Sequence, residues 1–228
     1  MCVLDLSRIL AGPICGRTLA DLGNEVIRVG ASHLPTVEAV EIMTGFGKTT
    51  ANLDLRQDEE RSNLHELLAR THAIINAYRP GCMDKFGLNA EELARKYPGL
   101  IVVELSAYSH EGPWASRRGY DSLVQCTSGL VHTHSQAVKG SQSDAVEHLP
   151  VQFLDYVTGY LAASAIMSAR AEQLLDGGST TSYIISVSLC RTALWLSELP
   201  GRKSCDSMML ARNIPASTLS DWFQNKHL

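Results

Sequence analysis

A chain of 228 residues that is 45% hydrophobic and 19% charged has enough apolar material for one large domain, or a domain with an appendage, and is neither a peptide nor a disordered tail. Lys+Arg number 20 against Asp+Glu 24, a net charge of −4 with no basic run, which argues against a nucleic-acid partner. No stretch reaches the roughly 20 apolar residues of a membrane span, and residues 1–30 lack the basic-then-apolar order of a signal peptide. The expectation is therefore an intracellular protein with no membrane partner, most simply cytoplasmic, with mitochondrion and peroxisome left open. The ending Lys226-His227-Leu228 departs from a Ser-Lys-Leu peroxisomal address at its first residue. The cysteines (Cys2, Cys15, Cys82, Cys126, Cys190, Cys205) form no CxxC and no Cys/His zinc spacing, so free thiols and no structural metal are expected.

In chain order, Val3-Leu4-Asp5-Leu6 predicts a strand, Pro13 to Leu22 a helix, and Glu25 to Val29 a second strand, a βαβ rhythm. Gly12-Pro13 suits a helix start with proline in the first turn, and Gly23 stands where a C-terminal glycine would close that helix. Leu64 to Arg70 then reads as helix, Ala73-Ile74-Ile75 as strand, Ala90 to Tyr97 as helix and Leu100 to Leu105 as strand. Nearly continuous apolar strands separated by amphipathic helices point to an α/β fold, a parallel sheet covered on both faces. After Ser106 come a loop with Gly112-Pro113, helical patterns at Tyr120 to Val131 and Asp155 to Leu175, a strand at Tyr183 to Val187 and a helix through Trp195. Residues 132–148, polar and rich in Ser, Gln and His, are expected as an exposed loop. The pattern decays from Pro200 onward, so the expected division is a domain over 1–197 and a divergent tail over 198–228.

Three short motifs do not hold. Gly12-Pro13-Ile14-Cys15-Gly16 fails the glycine spacing of a dinucleotide loop, and its proline removes an amide donor. Gly47-Lys48-Thr49 resembles the end of a P-loop, but Ile42 stands where the first glycine is needed and no strand clearly precedes it. His65-Glu66 lacks the second histidine of a zinc protease, and His132, His134 and His148 fall in the polar connector.

Six segments in fixed order carry a larger signal: Val3 to Pro13; Leu19 to Val29; Gly47-Lys48 with Asn52-Leu53-Asp54-Leu55; Tyr78-Arg79-Pro80-Gly81; Gly119-Tyr120-Asp121 with Ser128-Gly129-Leu130; and Asp155-Tyr156-Val157-Thr158-Gly159. Together they resemble the family III CoA-transferases, the CaiB/BaiF family with formyl-CoA and carnitine CoA-transferases and α-methylacyl-CoA racemase. The resemblance implies a Rossmann-like large domain, an acyl-CoA substrate with a carboxylic acid acceptor, an interlocked homodimer, and a catalytic aspartate at Asp155. It also implies that Arg8, Leu10, Ala11, Tyr78, Arg79 and Lys85 lie along the coenzyme A path. Neither a metal nor a bound cofactor is implied, coenzyme A entering as the substrate thioester. Family members continue through a small domain that returns to complete the large one, so the resemblance also implies that the small domain is missing from this chain.

The residues themselves bear on that chemistry. A carboxylate beginning an apolar helical run would sit at a helix N-terminus, where exposed amides and the dipole favour its charged form, so Asp155 is expected to be ionised. An ionised carboxylate can attack a thioester carbonyl and divide acyl exchange into easier steps, with Gly159 allowing close approach of a neighbouring chain or ligand. From the residues alone a plain N-cap is the favoured account of Asp155, and only the resemblance turns the reading toward a nucleophile. Tyr120 stands where the resemblance places a racemase histidine, and a phenol with an ordinary pKa of about 10 is a poor base, which favours transfer over racemisation. Ala77 and Leu10 replace the asparagine and glutamine common in relatives, and Gly30 to Pro35 replaces an acidic stretch. A catalytically silent binding or partner subunit is one alternative, and an acyl-CoA racemase or epimerase a further one.

Overall fold

The structure, a computed structural model, describes residues 1–139, 146–149 and 151–199. Its strands are β1 (Cys2–Leu6), β2 (Glu25–Gly30), β3 (Lys48–Asn52), β4 (Ala73–Asn76), β5 (Ile101–Ser106) and β6 (Tyr183–Ser188). Its helices are α1 (Ala11–Asp21), α2 (Glu38–Gly45), α3 (Asp58–Leu68), α4 (Ala90–Lys96), α5 (Asp121–Thr127), α6 (Leu130–Lys139), α7 (Phe153–Leu175) and α8 (Leu189–Glu198). The strands make one parallel six-stranded sheet in the order β3-β2-β1-β4-β5-β6, the doubly wound Rossmann-like arrangement.

Strand alternation divides the apolar residues between two layers. Leu4, Ile27, Ile74 and Val102 share one face with Leu64 and Leu68 of α3 and Leu93 of α4. Val3, Val26, Ile75 and Val103 face the other way, against Cys15 and Leu19 of α1 and Ala162, Ala163 and Ile166 of α7. Both faces of the inner strands are thereby largely dry, which is why β1, β4 and β5 read as nearly continuous apolar runs, broken by Asp5 in β1 and Glu104 in β5. Gly23, with φ 81°, ends α1 as its position suggests. Gly159 of α7 lies against α1, where an added Cβ would come within 2.6 Å of the Ala11 carbonyl oxygen. The close approach foreseen for Gly159 is made by this chain's own first helix.

Three local expectations change. Lys48–Asn52 is a strand, preceded by helix α2; its residues are polar and mostly half-buried or exposed because β3 is a sheet edge, so no apolar run announces it. Helix α3 begins at Asp58, an acidic first turn that its dipole favours, before the apolar positions that mark its later half. The segment expected as a loop over 132–148 instead holds most of α6, which buries Val131 and Ser135 against the fold while exposing His132. A sparse buried stripe suffices for a helix packed on one side. The expected tail, from residue 200 onward, lies outside the described residues.

Candidate functional site

Sheet order reverses direction between β1 and β4, and the segments leaving the C-terminal ends of these strands diverge to open a crevice, the place where doubly wound sheets hold ligands. A cleft of about 490 Å³ lies there. Its wall after β1 is Arg8 to Gly12, and its wall after β4 is Ala77 to Pro80 with Cys82. The end of β5 with Ala107, the loop that carries Arg117 to Tyr120, Leu189 and Asp155 also line it.

Of the residues predicted from sequence, Arg8, Leu10, Ala11, Tyr78, Arg79 and Asp155 all line this one cleft. Lys85 does not: its ammonium lies 4.9 Å from the centre of the Phe86 ring, outside the lining. Sequence reasoning missed Arg117 and Arg118, which join Arg8 and Arg79 in giving the cleft four guanidinium groups against a single carboxylate, Asp155, among the described lining residues. Their signal was two adjacent arginines just before Gly119-Tyr120-Asp121. Arg117 is stacked 4.5 Å from the Trp114 ring, which meets Tyr108 edge-on at 5.2 Å. Tyr78 is kept neutral by burial, which pushes its phenol up.

Asp155 sits in the first turn of α7, yet it neither caps that helix nor is simply held ionised. Gln152 occupies the N-cap position without a side-chain cap bond. The Asp155 amide instead donates to Oδ2 of Asp121 at 2.9 Å, so a carboxylate from α5 serves the N-terminus of α7. Asp121 is fully buried, and its Oδ1 accepts a hydrogen bond from Gln125. The Asp155 carboxyl, 8% exposed, has no side-chain hydrogen bond among the described residues and faces the cleft. Burial first, and the Asp121 charge second, push its pKa up to about 7. The expectation of an ionised Asp155 is thus corrected: desolvation and a like charge oppose the charged form, and the Asp155 amide itself serves Asp121. Near neutrality the group is shared between carboxylate and acid. Thr158, one turn along, meets Thr192 of α8 at 2.7 Å between hydroxyl oxygens and helps fix this part of α7.

The opposite wall is held under strain. Ile9 has φ 70°, a left-handed conformation that a β-branched residue adopts at a cost of about 1–3 kcal/mol and only where its surroundings enforce it. The cleft therefore combines a cationic mouth suited to phosphates or carboxylates, a half-apolar interior, and one carboxyl group poised between charge states. No group of three or more possible metal ligands occurs among the described residues.

This is a doubly wound α/β protein whose switch-point crevice is lined by four arginines and one carboxyl group among the described residues. The comparisons make the class particular: the sequence matches CoA-transferase family III over residues 1–216, and the chain belongs to that family. It is 29% identical over 199 residues to an acetyl-coenzyme A transferase of Hypoxylon pulicicidum, covering 85% of this chain and 32% of that protein. It is 31% identical over 191 residues to a probable fatty acyl-CoA transferase of Mycobacterium tuberculosis, covering 77% of this chain and 46% of that one. A crystal structure of a CaiB/BaiF family protein from Brucella suis superposes with a TM-score of 0.76 at 30% identity, over 87% of this chain and 54% of the other. The matched part of the chain spans 32% and 46% of the length of these two curated relatives, less than half of either.

Proposed function

We propose that this chain carries the acyl-CoA side of a CoA-transferase, exchanging coenzyme A between an acyl-CoA and a carboxylic acid with Asp155 as nucleophile. The observation that carries the reading is Asp155 as the single carboxylate, among the described residues, in a cleft that four arginines also line. Its ionised oxygen attacks the thioester carbonyl; the carbon–sulfur bond breaks and coenzyme A leaves as thiolate, giving an aspartyl–acyl mixed anhydride. The thiolate then attacks the aspartyl carbonyl, releasing the first acid and leaving an aspartyl-CoA thioester. The acceptor carboxylate reverses both steps and restores Asp155. Arginines along the walls suit the phosphates of coenzyme A, and the thioester enters as substrate, so the scheme requires no further cofactor. Family membership supports transferase chemistry in general.

Incubation with acetyl-CoA or succinyl-CoA followed by hydroxylamine is expected to yield an Asp155 hydroxamate by mass spectrometry. Unlabelled Asp155 across an acyl-CoA panel would refute the nucleophile and leave the silent, ligand-binding alternative. A second reading has its own support: a carboxyl with a pKa of about 7 is tuned for removing a proton α to a thioester carbonyl. Solvent deuterium entering the α-carbon of a branched acyl-CoA distinguishes that racemase-type reaction. The resemblance also implies a homodimer, which light scattering on the eluted protein tests.

A further inference from the structure

Lys48, noticed in the sequence for a P-loop that is not there, turns inward from an edge strand whose Thr49, Thr50 and Asn52 are exposed. Its side chain and that of Asp5 are both 0% exposed. The ammonium donates to Asp5 Oδ2 at 2.7 Å and to the Pro13 carbonyl at 2.8 Å, while the Ser7 hydroxyl donates to Asp5 Oδ1. One side chain from β3 thus grips both ends of residues 8–12: Pro13 directly, and Ser7 through Asp5. Two glycines make the room. A Cβ at Gly16 would stand 2.5 Å from Asp5 Oδ2, and one at Gly12 would stand 2.3 Å from the Ser7 Cβ. Between the two gripped ends lies Ile9 at φ 70°, and all five residues 8–12 line the cleft.

An apolar trio would hold α1 on the sheet as well as this pair does, because a buried ion pair is weak evidence for stability. It would not fix the direction of the Ser7 hydroxyl or the Pro13 carbonyl, which charge-assisted hydrogen bonds do. We propose that Lys48, Asp5 and Ser7 form a buried brace that positions residues 8–12, with Ile9 held left-handed, as a preformed wall for the coenzyme A moiety; the ligand named here rests on the acyl-CoA reading above. These are positioning residues, since none of their own polar groups reaches the cleft except through the segment they hold.

The test uses the full chain with coenzyme A as probe. Asp5→Asn combined with Lys48→Met removes both charges together and avoids an unpaired one. In this variant, amide exchange over residues 8–12 is expected to quicken about tenfold while β4 and β5 stay protected, and coenzyme A to bind about tenfold more weakly. Ile9→Gly, which takes positive φ without strain, is expected to shrink that affinity loss to about threefold. Unchanged exchange over 8–12, or an affinity loss that Ile9→Gly leaves as it was, overturns the brace. If the paired variant does not fold, Ser7→Ala carries the same measurements with about a threefold effect. A parent chain that does not bind coenzyme A while exchange over 8–12 still quickens in the variant overturns the acyl-CoA reading alone and leaves the brace standing.

Discussion

Beneath the first wall of the cleft, Asp5 is buried against an ammonium and a hydroxyl, while Asp155 in the same cleft is buried with no side-chain hydrogen bond among the described residues and with the Asp121 carboxylate beside it. Both carboxyls have left water, and both lie near the first turn of a helix that packs against the other's helix. What separates them is partner charge. Lys48 gives Asp5 a buried counter-charge and ties it into the scaffold, whereas Asp121 and desolvation together leave Asp155 able to gain or lose a proton near neutrality. Burial alone therefore predicts neither charge nor role; the nearest charge decides between a strut and a reagent.

The sharpest way to break the comparison is to remove the reagent. Asp155→Asn is expected to lower CoA exchange by roughly 10³-fold or more, read as initial rates with a saturating acyl-CoA. The same variant is expected to be more stable at neutral pH. The folded pKa of Asp155 is raised from 3.8 to about 7, so the folded state holds the extra proton between those values and stability falls as pH rises through that window. Asparagine abolishes this slope, worth up to ~4 kcal/mol above neutrality, and denaturant titrations at acid and neutral pH check it. Activity of the parent chain is expected to decline as pH falls below about 7, because the nucleophile is the carboxylate.

Removing the strut has the opposite sign. Asp5→Asn leaves the Lys48 ammonium buried without its counter-charge and is expected to destabilise by ~3–5 kcal/mol, with much of the loss recovered when Lys48→Met is added. Gly159→Ala tests the contact between α7, which carries Asp155, and α1, which follows the strand that carries Asp5. Its Cβ would press on the Ala11 carbonyl and on Ile14, and an overpacking loss of ~1–3 kcal/mol is expected by thermal or chemical unfolding. The smallest effect belongs to Asp121→Asn, which removes the secondary cause of the Asp155 shift. The acid limb of the pH–rate profile is expected to move to lower pH, by less than the rise that burial alone maintains.

Most of the sheet was legible because β1, β2, β4, β5 and β6 contain enough apolar β-formers to stand out, and the helices between them carry apolar stripes or clear caps. Strand β3 was not, since an edge strand of Lys, Thr and Asn with one wet face carries little hydrophobic signal. Helix α6 was mistaken for a loop for a similar reason: His, Ser and Gln dominate the sequence there, and only a few residues pack inward. At the site, Asp155 and the turns after β1 and β4 were found through the resemblance of ordered segments. Arg117 and Arg118 lay in a loop with no periodicity to place them, and only the return of that loop over the crevice puts them in the same lining as Asp155. Lys85, chosen by the same resemblance, stands apart over Phe86.

The linear order of residues determined the fold class and the family, because apolar periodicity and a set of short segments survive without knowledge of what touches what. It also supplied the carboxyl at position 155, though not its charge. Only the tertiary structure decided that Asp121 would occupy the amide expected to stabilise Asp155, and that Lys48 would cross from the sheet edge to Asp5. Protonation equilibria depend on the solvent lost and the charges gained within a few ångströms, and in this chain those charges come from residues 34 and 43 positions away.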